Sequence, residues 1–140
     1  MPPLFTKLNL KDCVDILVVD APKAFEAELA RLDGVTIHRD VNRIRTFRFA
    51  LAFASRKAEV DRLSAILAGK ADGDAILWFA YPKGTSRKFT CDFNRDTGWD
   101  VLRSAGFDTV RQVAVDEDWS ALRFRRVAFI KAGAGASGKK

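Results

Sequence analysis

Residues Pro82 to Lys88, Pro-Lys-Gly-Thr-Ser-Arg-Lys, gather the groups that hold an anion. Lys83 brings a mobile ammonium, Gly84 a backbone that a ligand can approach closely, Thr85 and Ser86 hydroxyl donors, and Arg87 a fork suited to phosphate or carboxylate oxygens. The spacing departs from the Gly-x-x-x-x-Gly-Lys-Ser/Thr of a triphosphate-binding loop. The expectation is therefore a small anionic ligand, with Tyr81, Arg95 and Trp99 as the wall of its pocket.

Other reactive types have local explanations. Asp92, Asp96, Asp100 and the trio Asp116, Glu117 and Asp118 could pair for acid–base work or hold magnesium. Asp96 and Asp100, however, suit a helix start, and the trio reads as a hairpin turn. His38 could act as a base, but it has no Ser or Cys neighbour in sequence. Cys91 follows the cations Arg87 and Lys88, which would lower its pKa, or else it fills core. Cys13, Cys91 and the single histidine do not make a zinc set. The residues thus point to no catalytic centre, no metal and no cofactor.

The loop needs elements to carry it. Val14 to Val19 is a continuous β-branched and leucine run, the pattern of a strand covered on both faces. Asp20, Ala21 and Pro22 turn it into a helix with Phe25, Leu29 and Leu32 on one face, closed by Gly34, and Val35 to His38 is the next strand. Phe47 to Ala54 forms a third strand. Ser55 caps a helix with the stripe Val60, Leu63, Ile66 and Leu67, stopped at Gly69. Residues 71–74 turn the chain into a buried strand, Ala75 to Tyr81, that delivers the basic loop.

Thr97 and Asp100 resemble a capping box for a helix that Gly106 ends, with Phe107 folding back over its last turn. Thr109 to Val115 and Ala121 to Ile130 make an antiparallel hairpin, because Asp116 to Ser120 is too short for a crossover helix. Arg123 and Arg125 alternate with Leu122 and Phe124, as in an edge strand protected by charge. That alternation also weakens a nucleic-acid reading of the arginines. Trp78, Trp99 and Trp119 are core residues by size.

A chain of 140 residues, 48% hydrophobic and 30% charged, suits one domain with one core, here residues 1–131, followed by a flexible basic Gly/Ala tail over 132–140. The net charge of +6 favours anionic partners without choosing among them. No stretch is long and apolar enough for a signal peptide or a membrane span. A cytoplasmic protein with reduced thiols is expected.

Strand–helix alternation ending in an antiparallel pair resembles the Rossmann-like methyltransferase fold: a mostly parallel sheet flanked by helices, with a C-terminal hairpin. The first turn departs from that family's pattern, since no glycine occurs between Met1 and Leu32 to let backbone approach a cofactor. Three tracts also resemble a bacterial family of uncharacterised domains: Tyr81-Pro82-Lys83-Gly84-Thr85-Ser86, Asn94-Arg95-Asp96-Thr97-Gly98-Trp99-Asp100, and Asp116-Glu117-Asp118-Trp119-Ser120-Ala121-Leu122-Arg123-Phe124, and the Val19-Asp20-Ala21-Pro22 turn fits the same family's pattern. That resemblance implies a small α/β domain without an assigned activity. The expected function is a non-catalytic ligand-binding or protein-interaction module using the basic loop. The alternative is a small transferase-like enzyme acting on a phosphorylated or carboxylated substrate.

Overall fold

The apolar run after Cys13 becomes β1 (Asp15–Val19), whose last four residues are all buried. The computed structural model describes residues 2–130; the expected tail, 132–140, lies outside them. A short 3-10 turn (Lys23–Phe25) and α2 (Glu26–Leu29) lead to β2 (Thr36–His38), and a second 3-10 turn (Val41–Arg43) leads to β3 (Phe47–Phe53). Then follow α3 (Lys57–Lys70), β4 (Ala71–Pro82), α4 (Asp100–Ser104), β5 (Phe107–Ala114) and β6 (Trp119–Arg126). A short α1 (Pro3–Lys7) precedes them all.

The strands form one six-stranded sheet in the order β2-β1-β3-β4-β6-β5. β1 to β4 are mutually parallel, and β6 runs antiparallel to both β4 and β5. This is the expected α/β architecture. The two faces of the pleat divide the core: Leu17, Ala50, Leu77 and Phe79 meet Leu63 and Leu67 of α3 and Leu102 of α4, while Ile16, Val18, Leu51 and Trp78 meet Phe5, Phe25 and Leu29. The indole N–H of Trp78 donates to the Leu8 carbonyl at 2.8 Å, tying the N-terminal helix, which periodicity could not reveal in five residues, to the middle of the sheet.

Several local expectations are corrected. Residues 71–74 are part of β4 and not a turn before it: the pairing with β3 jumps from Phe47↔Ala71 to Phe49↔Ile76, and Gly73 takes a φ of 58° within the excursion. Such a bulge bends a strand without ending it. Ser55 does not cap α3. The Glu59 carboxylate instead accepts the backbone N–H groups of Ser55 and Arg56, each at 3.0 Å, and Asp92 accepts that of Lys57 at 2.6 Å. Gly69 does not stop the helix, which continues to Lys70. Thr97 is not the cap of α4; that position is Trp99, and Thr97 belongs to a turn in which the Asn94 side chain accepts the N–H groups of Asp96 and Thr97.

At the C-terminal end, β6 is an inner strand between β4 and β5, so its arginines do not guard an edge. Arg125 instead forks onto Asp74 at 2.7 and 2.9 Å, using the carboxylate that the β4 bulge presents. The second run of the hairpin ends at Arg126, and residues 127–130 are helical. Gly106, with a φ of 95°, closes α4 as expected and Phe107 is buried behind it. Both cysteines are free. Among the described residues no helix is long and apolar enough to cross a membrane.

Candidate functional site

β4 delivers the basic loop beyond the carboxyl ends of the parallel strands, where ligands of open α/β sheets bind. The loop folds back as a tight turn, with the Ser86 N–H on the Lys83 carbonyl at 3.0 Å and the Lys83 N–H on the Asp118 carbonyl at 2.8 Å. Ser86 is occupied within the fold: its hydroxyl donates to the Asp118 carboxylate at 2.9 Å and accepts the N–H groups of Lys88 and Phe89. That hydroxyl therefore shapes the loop.

Docking on the β5–β6 turn divides the expected anion loop in two. Lys83, Gly84 and Ser86 line a cavity of about 300 Å³ together with Tyr81, Cys91 and Asn94. Thr85 and Arg87 face a separate cleft with Lys88, Glu117 and Asp118. In that cleft the carboxylates of Glu117 and Asp118 offset the charges of Arg87 and Lys88, which leaves no net attraction for an anion. The two cations that sequence placed in one site thus serve different surfaces.

The three expected wall residues also separate. Tyr81 lines the cavity, and its hydroxyl accepts a hydrogen bond from Gln112 Nε2 at 2.9 Å; the same amide reaches Ser120 Oγ at 3.2 Å. Burial pushes the Tyr81 phenol pKa up, with Arg95 pulling against it, so the phenol stays protonated at neutral pH. Trp99 is a support behind the wall: it is 1% exposed, packs against Phe79, Tyr81, Phe93 and Phe124 with centroids 5.0 to 6.0 Å away, and donates its indole N–H to the Asn94 carbonyl at 2.9 Å. Arg95 is exposed and lies 4.0 Å from Asp96, contributing field and no wall.

The idea of an activated Cys91 is corrected. Burial pushes its thiol pKa up, outweighing the Phe93 N–H that lowers it, and Asp92 and Glu59 raise it further. A neutral thiol is a poor nucleophile. His38 pairs with Asp15 at 3.1 Å, far along the sheet from this cavity. Gln112 is the residue that sequence reasoning missed, because it reaches Tyr81 only through the pairing of β5, β6 and β4. The Asn94-x-x-Thr97 turn that shapes the rim did have a readable signal, an Asx residue four positions before Gly98.

No protein-family model matches the sequence, and no curated protein matches it. In shape the chain is similar to the N-methyltransferase NodS from Bradyrhizobium japonicum WM9, at 13% identity and a TM-score of 0.54 over 86% of this chain and 91% of that one. It is also similar to a SAM-dependent methyltransferase from Aquifex aeolicus, at 15% identity and 0.59 over 89% and 88%. A third match is the [4+2]-cyclase SpnF, at 12% identity and 0.60 over 88% and 78%. Likeness at such identity carries the fold, a methyltransferase-type Rossmann sheet.

The expectation of a non-catalytic module is corrected by the same comparison, because the matched scaffolds are methyltransferases and a cyclase. A missing glycine turn argues against one mode of cofactor binding and says nothing against catalysis.

S-adenosylmethionine is the cofactor this fold implies, and the residues at the end of β1 do not fit it. Asp20 takes the left-handed turn at a φ of 58°, and Ala21 and Pro22 put side chains where close backbone approach is needed. Phe25, 3% exposed, fills the adjoining space against Phe5 and Phe53, with centroids 6.0 and 4.9 Å away. After β2, where an acid would meet the ribose, the Asp40 carboxylate accepts the Asn42 N–H at 2.9 Å, and the neighbouring Arg39 clamps Glu26 at 2.6 and 2.8 Å.

Proposed function

We propose that the chain is a small transferase-like enzyme acting on a phosphorylated or carboxylated substrate held in the cavity beyond β4. The carrying observation is the convergence of Lys83, Gly84 and Tyr81 on one cavity at the carboxyl end of a parallel strand. Lys83 attracts the substrate's anionic group and Gly84 lets it lie close to the backbone. Tyr81, held by Gln112 and protonated, donates a hydrogen bond to the substrate atom that gains negative charge. Cys91 and Phe93 form apolar wall. The free thiols suit a cytoplasmic setting.

Lys83→Ala should weaken binding of phosphate-bearing metabolites several-fold, whereas Arg87→Ala, in the other cleft, should change it less than twofold. NMR titration reads both. If no resonance between Tyr81 and Trp99 moves in the wild type, the cavity is not a substrate site and the reading fails.

A second expectation concerns the end of β1. Calorimetry with S-adenosylmethionine or NAD should give no binding in the micromolar range, because Pro22 and Phe25 occupy the approach. Micromolar affinity for either would overturn the misfit.

A further inference from the structure

Around β1, near the β2 end of the sheet, a different cavity, of about 340 Å³, is framed by Asp15 and Leu17 of β1, His38 at the end of β2, Arg43, Ile44 and Arg45 in the connection to β3, and Phe47 at the start of β3. β2 is an outer strand of the sheet, separated from β4 by β1 and β3, so this cavity is independent of the loop beyond β4. The connection is pinned from behind. The Lys70 ammonium donates to the carbonyls of Val41 and Ile44 at 2.5 and 2.8 Å, and the Asp40 side chain accepts the Asn42 N–H at 2.9 Å.

Arg43 and Arg45 therefore project from a fixed segment on either side of Ile44. Neither has a carboxylate within ion-pair distance among the described residues, although the other arginines of this region, Arg31 and Arg39, do. Asp15 Oδ1 sits 3.1 Å from His38 Nε2 and so fixes the imidazole, whose Nδ1 has no protein partner among the described residues. Ile44 and the buried Phe47 supply an apolar wall. Two unpaired guanidiniums, an oriented imidazole and apolar surface meet in one concavity, where the cations outnumber the single carboxylate, Asp15, which the imidazole engages.

We propose that this cavity binds a small organic phosphate, with Arg43 and Arg45 on the phosphoryl oxygens, the His38 imidazole beside the same group, and Ile44 and Phe47 against the organic part. Each guanidinium carries five N–H donors in a planar fork, and a phosphate monoester offers three terminal oxygens to a pair of forks where a carboxylate offers two. A nucleic-acid backbone would need a longer track of cations than two arginines in one pocket.

The chain has one histidine, so the imidazole signals of His38 report on this cavity without ambiguity. At constant pH and ionic strength, phenyl phosphate should move them saturably at submillimolar concentration, several-fold more tightly than inorganic phosphate and more tightly than benzoate. In Arg43→Ala/Arg45→Ala the affinity should fall at least tenfold, and Arg43→Lys/Arg45→Lys should recover part of it, because charge returns without the fork. Both arginines are exposed, so both variants should keep the wild-type amide spectrum away from the cavity. No saturable movement in the wild type, benzoate binding as tightly as phenyl phosphate, or equal affinity in the double-alanine variant would each overturn the proposal.

Discussion

Trp99→Ala is expected to destabilise the fold by about 3–5 kcal/mol, the range for truncating a large buried aromatic. Trp99 is 1% exposed and its ring meets four other aromatics, so little of the space left behind can be refilled by solvent-facing side chains. The indole N–H is also the partner of the Asn94 carbonyl at 2.9 Å, which ties the rim of the cavity to the start of α4. Urea unfolding followed through the midpoint measures the loss. Trp99→Phe separates the two contributions: it keeps most of the stacking and gives up the hydrogen bond, for a loss of about 1–3 kcal/mol. A loss under about 1 kcal/mol for the alanine variant would mean that the cluster relaxes around the gap, against the close packing of protein interiors.

Gly98→Val should be nearly as damaging, at about 2–4 kcal/mol, combining left-handed backbone strain with overpacking. Gly98 has a φ of 93°, which a β-branched residue does not tolerate, and a Cβ there would stand 2.8 Å from Phe93 Cβ. That neighbour is the base of a side chain and not its tip, so the backbone at Phe93 must move to relieve the contact. Phe93 packs on Tyr81 with centroids 5.8 Å apart and lines the cavity, so the displacement reaches the candidate site. The variant should therefore lose anion binding along with stability. Wild-type denaturant midpoint and wild-type NMR shifts for Tyr81 in this variant would show that the turn yields freely, contrary to this account.

The elements themselves were largely readable in the chain. The apolar run at Val14 to Val19, the helical stripe of Val60, Leu63 and Leu67, and the glycine closing α4 each carry a local signal, because periodicity and capping act over a few residues. The short α1 escaped, since five residues span too little of a period to be seen. So did the extension of β4 through Gly73, where a bulge looks like a turn in sequence.

What only the tertiary structure decided was which surfaces meet. Alternation in residues 121–126 says that Arg123 and Arg125 share a face, yet it does not say that β6 lies between β4 and β5 or that Arg125 finds Asp74. Likewise the composition of residues 82–88 advertises anion binding, but the docking of Ser86 on Asp118 turns Lys83 and Arg87 toward different cavities. Gln112 holding Tyr81, and Arg43 and Arg45 sharing a concavity with His38, depend in the same way on strand order and register. Local propensity fixes the period and face of each element; pairing across tens of residues is settled by the packing of the whole sheet, which leaves no mark in any short window of the chain.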